Sequence, residues 1–521
     1  MPIRMEQDQP QKPSSNRNNQ NKPGGGGGLG NLIKYLPIVL LFVFKKPKLL
    51  IPILIVAAVW YFFLGGQEML SGGIAQETDE VADLFSFGAS LDEQVYDKAL
   101  VFEPISYGYG GQTSLPAQAS LQRFAPTRRH QGRQGSCVGW ASAYGARTIL
   151  EAETTGKNPD DVAFSPAYLY NQIALSGCQG AYMVDAMQAM QNYGGLPFNQ
   201  FRYDERTCSN EPSSNQKKTG QQFRIKGFNR LTVGTGDYKP DMLAIKQHLA
   251  QGYPVVIGMM VGGTFMSEMV RQSAWTPTQR DYGMRGFSGH AMCVMGYDDN
   301  KNGGSFQIMN SWGEDWGNQG IAWVRYRDFE YFVKEAYGIY PMASAQNQDK
   351  MAVEFGLLDI NTRNTIGLQK SNNLEFKTIK PIKKGDKFKV VIANSVECYT
   401  YVFGQETDGS SYILFPYTEK HDPYCGITGT RVFPKDYSMV ADEIGNKDYI
   451  AMVFSKEPLN FNDLNSRISR ASGSNYAQKV KAALGSDLVE EVNFQASNTV
   501  AFEANTKGKK AVAMVIAIDK Q

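Results

Sequence analysis

The sequence lacks the patterns that build metal centres, nucleotide sites and nucleic-acid surfaces. Its 521 residues include 4 histidines and 6 cysteines, and the net charge is only +2. No CxxC, HExxH or phosphate-loop pattern occurs, so we expect neither a metal ion nor an organic cofactor. The near-neutral charge gives no basic footprint for nucleic acid. Six cysteines over this length do not make a disulfide scaffold, so the fold must rest on hydrophobic cores. A hydrophobic fraction of 42% allows two or three domains.

Three short segments carry a reactive combination of side chains. The first places Cys137 directly after a Gly135-Ser136 turn. The others are Gly289-His290-Ala291 and Asn310-Ser311-Trp312-Gly313. A thiol, an imidazole and an amide in this order are what a thiolate-nucleophile hydrolase needs.

The chain around Cys137 favours an activated thiol. A free thiol has a pKa of about 8.5, which a nearby imidazolium or a helix N-terminus lowers. The Ala-rich stretch that follows predicts a buried helix beginning at Cys137. His290 would exchange a proton with the thiol, and Asn310 would hold the ring in the productive tautomer. The side chain of Gln131, with the backbone N–H of Cys137, would stabilise the oxyanion.

These segments resemble the papain family of cysteine peptidases. The resemblance implies that Cys137 is the nucleophile, and that His290, Asn310 and Gln131 complete the catalytic set. It implies a papain-like two-lobe fold, in which a helical lobe and a β-barrel-like lobe enclose the site in a cleft. Trp312 would shield the hydrogen bond between Asn310 and His290 from water.

The resemblance also implies where a peptide substrate would bind. The segment from Ser176 to Tyr182 is similar to the family's Gly-rich segment, which pairs with the substrate backbone. Gly180 matches it, whereas Ala181 stands where a second glycine is usual. Met183, Val256 and Ala291 are expected to line the pocket for a substrate side chain.

Three further positions depart from the plant and lysosomal members of the family. Gln134 replaces a cysteine, which removes one family disulfide, and Val138 replaces an aromatic residue after the nucleophile. Gly289 precedes the histidine where the family often has Asp or Asn.

The remaining cysteines suggest two disulfides. If the chain is exported, disulfides are permitted, and Cys178–Cys208 and Cys398–Cys425 are two similarly placed pairs. Cys293 lies in an apolar run and is expected to be a core residue.

The N-terminal region predicts a single-pass membrane anchor. Residues 1–30 are rich in Gln, Asn, Pro and Gly and should form a disordered cytoplasmic tail. Residues 31–66 would form the anchor, with the span at about 49–66. Basic residues on its N-terminal side place the remainder of the chain outside the cytoplasmic membrane, in the periplasm. The anchor region contains two apolar runs, Leu32 to Phe44 and Leu49 to Leu64. As alternatives to a single span, the first run lies in the membrane interface, the two runs form a tight hairpin, or the segment is a cleaved signal peptide.

The rest of the chain divides into a tether and two domains, giving an α+β protein. Residues 67–112 are predicted to be a tether, with an inhibitory prosegment as the alternative. Residues 113–345 would be the peptidase domain, helical first and strand-rich afterwards. Residues 349–521 predict a β-sandwich-like accessory domain from their strands and turns. It resembles an uncharacterised bacterial domain appended to peptidases and other enzymes, and its role is either structural or the binding of a protein partner.

We therefore predict a bacterial, membrane-anchored cysteine endopeptidase that acts on proteins or peptides outside the cytoplasmic membrane. Acyl transfer to an amine is a second outcome on the same catalytic groups. A non-catalytic envelope scaffold that binds a peptide in its cleft is the alternative from another class, and would keep its function after Cys137→Ala.

Overall fold

The structure is a computed structural model that describes residues 3–8, 87–107, 114–234, 236–342, 344, 347–435 and 437–521. The predicted membrane anchor lies outside these residues, as do residues 1, 2 and 9–30 of the predicted tail and residues 67–86 and 108–112 of the predicted tether. None of the described helices is both long and apolar enough to cross a bilayer.

The first half of the predicted peptidase domain is helical, as the sequence predicts. A buried helix begins at Cys137, continues through the π-helical stretch Trp140–Arg147 and ends at Thr155. Gly156 terminates it with φ of 69°, a conformation that glycine adopts without steric cost. The other helices of this half are Gln122–Phe124, Pro166–Tyr170, Ser176–Cys178, Met183–Asn192, Ser214–Gly220 and Gln221–Phe223.

The second half is built on a mostly antiparallel sheet. Its long strand Ser288–Asp298, which carries His290, lies between Val255–Val261 and Ser305–Met309. The sheet also contains Gln118–Ser120, Gly227–Arg230, Ala274–Trp275, Ile321–Arg325 and Val333–Tyr340. A separate pair of short strands joins Thr232–Val233 to Lys239–Pro240. The helices of this half are Met242–Ala250, Thr264–Ser267, Asp281–Gly283, Lys301–Gly303 and Tyr326–Phe332.

The C-terminal domain is a sandwich of two sheets, in agreement with the β-rich prediction. One sheet contains Lys350–Asp359, Thr365–Ile366, Lys387–Asn394, Gly429–Phe433, Tyr437–Ala441, Phe494–Ala496 and Val500–Asn505. The other contains Leu368–Lys370, Glu375–Thr378, Cys398–Gln405, Ser411–Phe415, Tyr424–Cys425, Lys447–Ser455 and Ala511–Asp519. Apolar side chains from both sheets form one buried core between them.

Two helices that the sequence reading did not anticipate pack on the outer face of the second sheet. They are Phe461–Arg470 and Tyr476–Leu484, and Asn460 and Asn475 cap their N-termini. Their buried residues form a second apolar core with the sheet. The C-terminal domain therefore has three layers rather than two.

The N-terminal residues differ from the predicted disordered tail. Ile3–Gln7 forms a strand that pairs antiparallel with Tyr437–Ala441 at the edge of the C-terminal domain. Ile3 is buried, and Asp8 forms an ion pair of 2.6 Å with Lys389. A strand that supplies a buried apolar residue and pairs an otherwise open edge is ordered by the sheet that it joins.

Residues 87–107 differ from the predicted tether, because they pack against both domains instead of extending into solvent. We call them the strap. Asp92 caps a short helix, Glu93–Tyr96, by accepting from the N–H groups of Gln94 and Val95. Buried residues of the strap include Tyr96, Ala99, Phe102 and Ile105.

One of the two predicted disulfides is present. Cys178 and Cys208 are bonded, whereas the predicted Cys398–Cys425 bridge is wrong, because both thiols are free. Cys398 and Cys425 lie opposite each other on paired strands. The sulfur of Cys425 instead contacts the Thr400 hydroxyl at 3.6 Å. Burial raises the pKa of both thiols, so they remain neutral and act as small core residues.

The Cys178–Cys208 bridge should contribute measurably to stability. It closes a loop with a sequence separation of 30, for which chain entropy predicts about 3–4 kcal/mol. We expect Cys208→Ser to lower the free energy of unfolding by about this amount in denaturant titrations. A reductant should destabilise the native chain and leave the variant unchanged. Equal stability of the two chains without reductant would contradict the prediction.

Candidate active site

Cys137 lies at the N-terminus of the buried helix, with its sulfur inside a shell of backbone N–H groups. The N–H of Ala291 donates to Sγ at 3.3 Å. This and the N–H groups of Val138, Cys137 and Ala89 lower the pKa of the thiol, but burial outweighs them and raises it to about 12. Cys137 is 0% exposed. The thiol is therefore protonated at neutral pH in this conformation.

His290 is held by an amide and an indole. Its Nε2 bonds to Oδ1 of Asn310 at 2.8 Å, so Nε2 donates to the amide oxygen. The ring stacks on Trp312 with a centroid separation of 4.4 Å. Nδ1 has no hydrogen-bond partner among the described residues. Burial lowers the pKa of His290 to about 4, so the imidazole is neutral here.

Both polar atoms of the Gln131 side-chain amide are hydrogen-bonded. The hydroxyl of Ser311 donates to its Oε1 at 2.6 Å, and its Nε2 donates to the Gln134 carbonyl at 3.0 Å. The backbone N–H of Gln131 donates to the Ser311 carbonyl at 2.8 Å. Ser311 therefore links Gln131, the candidate oxyanion donor, to the neighbouring Asn310, which orients His290. Sequence reasoning missed this role of Ser311.

The first residues of the strap occupy the cleft between the two lobes. We call Phe87–Leu91 the plug. The N–H of Ser90 donates to the Ala181 carbonyl at 3.1 Å, and the N–H of Ala181 donates to the Gly88 carbonyl at 2.9 Å. On the other wall, the N–H of Ala89 donates to the Gly289 carbonyl at 3.1 Å. The plug thus pairs with both lobes and closes the site over Cys137.

Two plug side chains fill the space beside these backbone contacts. The ring of Phe87 lies edge-on to Trp312 and to His290, with centroid separations of 6.3 and 6.4 Å. The Leu91 side chain packs against Gly258. A Cβ atom on Gly258 would lie 2.5 Å from Cδ2 of Leu91 and 2.8 Å from Cε of Met183, so only glycine leaves room for both side chains.

A buried carboxyl group lies under the plug. Glu335 Cβ is 3.4 Å from the position of a Cβ on Gly258, where Leu91 packs. Burial raises the pKa of Glu335 to about 8, although hydrogen bonds from the Tyr337 side chain and the Asp92 backbone act to lower it. A neutral carboxyl group at this position is compatible with the apolar Leu91 side chain.

Gly289 explains one departure from the family pattern. A Cβ atom at this position would lie 2.2 Å from the carbonyl oxygen of Ala89. Real Cβ atoms do not approach so closely, so an Asp or Asn here would collide with the plug. Gly180, with φ of 124°, likewise admits the Gly88 carbonyl, which would lie 2.7 Å from a Cβ.

The predicted site residues meet in one cleft. Cys137 contacts Ala291, which follows His290, and His290 contacts Asn310 and Trp312. Gly180 and Ala181 form the wall that pairs with the plug, and Met183 lies near Leu91. Sequence reasoning offered an inhibitory prosegment only as the alternative for residues 67–112, and it did not identify Phe87–Leu91 as the segment that covers the site. Gly289, where the family often has Asp or Asn, was a local signal of this segment.

Comparison with known proteins agrees with this architecture. Residues 120–345 match the papain family of cysteine proteases, and residues 382–458 match a domain of unknown function, DUF4384. The chain therefore carries a papain-family cysteine peptidase domain followed by a DUF4384 domain.

Individual relatives match somewhat more than a third of the chain. An uncharacterized peptidase C1-like protein of Acanthamoeba polyphaga mimivirus is 27% identical over 205 residues, which are 38% of this chain and 63% of that protein. Cathepsin K of Mus musculus is 28% identical over 197 residues, or 37% of this chain and 54% of cathepsin K. The chain thus spans less than two thirds of the length of these two relatives. The crystal structure of xylellain, a cysteine protease from Xylella fastidiosa, has a TM-score of 0.41 and 20% identity, covering 50% of this chain and 97% of xylellain.

A side chain at position 289 should expel the plug. Overpacking costs about 1–3 kcal/mol, so we expect Gly289→Asp to accelerate alkylation of Cys137 by iodoacetamide about 5- to 100-fold. Intact mass against a Cys137→Ala chain measures the rate. Gly283→Asp is the matched control, because a Cβ there meets no atom within 4 Å. Equal rates for both variants would refute the plug as the cover of the thiol.

Proposed function

We propose that this protein is a cysteine endopeptidase that is latent in the described conformation. Cys137 attacks the substrate carbonyl carbon, and His290 takes the thiol proton and later delivers it to the leaving amine. Asn310 orients the imidazole through Nε2. The Gln131 side chain and the Cys137 backbone N–H stabilise the oxyanion. No step needs a metal ion or cofactor.

The occupied cleft is the observation that carries the proposal. Ala181 uses both its N–H and its carbonyl to bind an extended stretch of this chain. Backbone pairing of this kind recognises peptide irrespective of side chains. A protein or peptide is therefore the substrate class that the cleft accommodates best.

The plug occupies the place of a substrate in the cleft. The N–H of Ala89 donates to the Gly289 carbonyl and also lowers the pKa of the Cys137 thiol, and the Ala89 carbonyl oxygen lies against Gly289. While these contacts persist, no substrate carbonyl can reach the thiol. The plug therefore acts as an inhibitor, and the prosegment alternative is preferred over a simple tether.

The proposed mechanism requires Cys137 once the cleft is open. We expect Gly289→Asp to cleave casein and to take up one equivalent of an epoxide thiol trap. Adding Cys137→Ala should abolish both, because no other group replaces the nucleophile. Casein cleavage that survives in this double variant would contradict the mechanism. Product masses distinguish hydrolysis from acyl transfer, since only hydrolysis adds water to the new carboxyl end.

We further propose that the protein acts outside the cytoplasmic membrane, with Ile3–Gln7 and the C-terminal domain on the same side of it. Ile3–Gln7 and Tyr437–Ala441 are hydrogen-bonded neighbours. A single crossing between them would separate these strands across the bilayer. The pairing therefore favours the hairpin alternative for the anchor over a single span.

Accessibility of the N-terminus tests this topology. Arg4 is exposed on its strand, so we expect Arg4→Cys in intact cells to react with a membrane-impermeant maleimide. Lys481→Cys, on the C-terminal domain, is the matched site and should be labelled to the same extent. Labelling at position 481 but not at position 4 would restore the single-pass topology.

A further inference from the structure

Beyond the cleft, the strap is held by the C-terminal domain. Asp97 accepts from NH1 of Arg230, in the peptidase domain, at 3.0 Å. Its other carboxylate oxygen pairs with Nζ of Lys420, in the C-terminal domain. The hydrogen bond from Lys420 is the largest of the interactions that lower the pKa of Asp97. Asp97 therefore joins the two domains as a carboxylate.

Val101 continues this connection through the backbone. The N–H of Val101 donates to the Lys420 carbonyl at 2.7 Å, and the carbonyl of Val101 accepts from the backbone N–H of Asp422 at 3.2 Å. On the opposite side, the N–H of Arg230 donates to the Leu100 carbonyl at 2.8 Å. Val101 is thus paired with the peptidase domain on one edge and with the C-terminal domain on the other.

The last part of the strap, from Glu103 to Ser106, is also hydrogen-bonded to both the peptidase domain and the C-terminal domain. The Gln247 side chain of the peptidase domain bonds both the N–H and the carbonyl of Ile105, at 2.9 and 2.7 Å. The N–H of Ser106 donates to the Thr430 carbonyl at 2.7 Å. Nε of the buried Arg431 donates to the Glu103 carbonyl at 3.1 Å. We call the contacts of Asp97–Ser106 with the C-terminal domain the clamp.

The interface beside the clamp is incompletely packed. A cavity of about 600 Å³ is lined by all three parts, including Val101 and Phe102 of the strap, Arg230 of the peptidase domain and His421 of the C-terminal domain. At this cavity the side chains of the strap and of the two domains face open space rather than one another, so the hydrogen bonds and the ion pair of the clamp carry the attachment here.

We propose that the C-terminal domain regulates the peptidase by clamping the strap. This inference rests on the proposed function, since it assigns to the DUF4384 domain the control of the plug. Only residues 92–96 separate the plug from Asp97. A short link to a fixed point gives the plug a high effective concentration at the cleft. Displacing the C-terminal domain frees residues 97–106, lowers that concentration and exposes Cys137.

Charge reversal at the clamp tests the proposal in the full chain. Lys420→Glu replaces an attraction to Asp97 by a repulsion, and exposed pairs of this kind are worth up to about 1 kcal/mol. We expect Cys137 to react with iodoacetamide about three- to tenfold faster than in the native chain. Lys481→Glu is the matched control, because Lys481 is 54% exposed against 52% for Lys420 and pairs with Glu490 within the C-terminal domain. Its rate should stay within about twofold of native.

The Gly289→Asp chain distinguishes failure of the clamp from failure of the plug as the cover of Cys137. If that chain reacts fast while Lys420→Glu matches Lys481→Glu, the clamp is wrong and the latent peptidase stands. If Gly289→Asp reacts slowly as well, the plug and the proposed latency both fail.

Salt provides a readout that does not depend on how well Lys420→Glu folds. Salt screens exposed ion pairs, so 1 M NaCl should raise the alkylation rate of the native chain. It should lower the rate of Lys420→Glu, where it screens a repulsion. A native rate that salt leaves unchanged would overturn the contribution of the Lys420–Asp97 pair to the clamp.

Discussion

The backbone pairing of the plug with Ala181 and Gly289 determines the state of the active site. The thiol and the imidazole are buried beneath it, and burial penalises the charged form of each. The pKa of Cys137 is raised to about 12 and that of His290 is lowered to about 4. Both groups are therefore neutral. A helix N-terminus, backbone donors and an oriented histidine are all in place, yet the thiolate–imidazolium pair cannot form until solvent returns.

The remaining architecture follows from the need to hold a peptide in a cleft that would otherwise bind substrate. The plug side chains that contact the site are those of Phe87 and Leu91. Fixing Asp97 and Val101 between two domains makes the binding intramolecular. In this view the C-terminal sandwich is part of the control of the peptidase rather than an independent appendage.

Sequence reasoning found the parts of the molecule that carry local patterns. Cys137, His290 and Asn310 each lie in a distinctive segment, and the segment from Lys387 to Ile392 was predicted as a strand, which the structure extends to Asn394. The plug left almost no such pattern, because it binds through backbone hydrogen bonds that any sequence can make. Its sequence signal was the glycine at position 289. The reason for that glycine becomes clear only from the structure, in which the Ala89 carbonyl lies against it.

Other differences have similar physical reasons. Ile3–Gln7 is too short to fold alone and takes its structure from an open sheet edge far along the chain. Cys398 and Cys425 lie opposite each other on paired strands, yet both thiols are free, and the sulfur of Cys425 contacts the Thr400 hydroxyl. In each case the deciding contact joins residues far apart in sequence, and spacing alone does not reveal it.

The pH dependence of Cys137 alkylation tests the account most directly. For the native chain we expect a slow rate that keeps rising with pH and does not level off below about pH 10, since the thiol stays protonated. After release of the plug by Gly289→Asp, the rate should level off at a lower pH, as the thiolate forms beside His290. A native chain whose Cys137 already reacts fast, with a plateau at neutral pH, would contradict the central claim that the plug holds the peptidase latent.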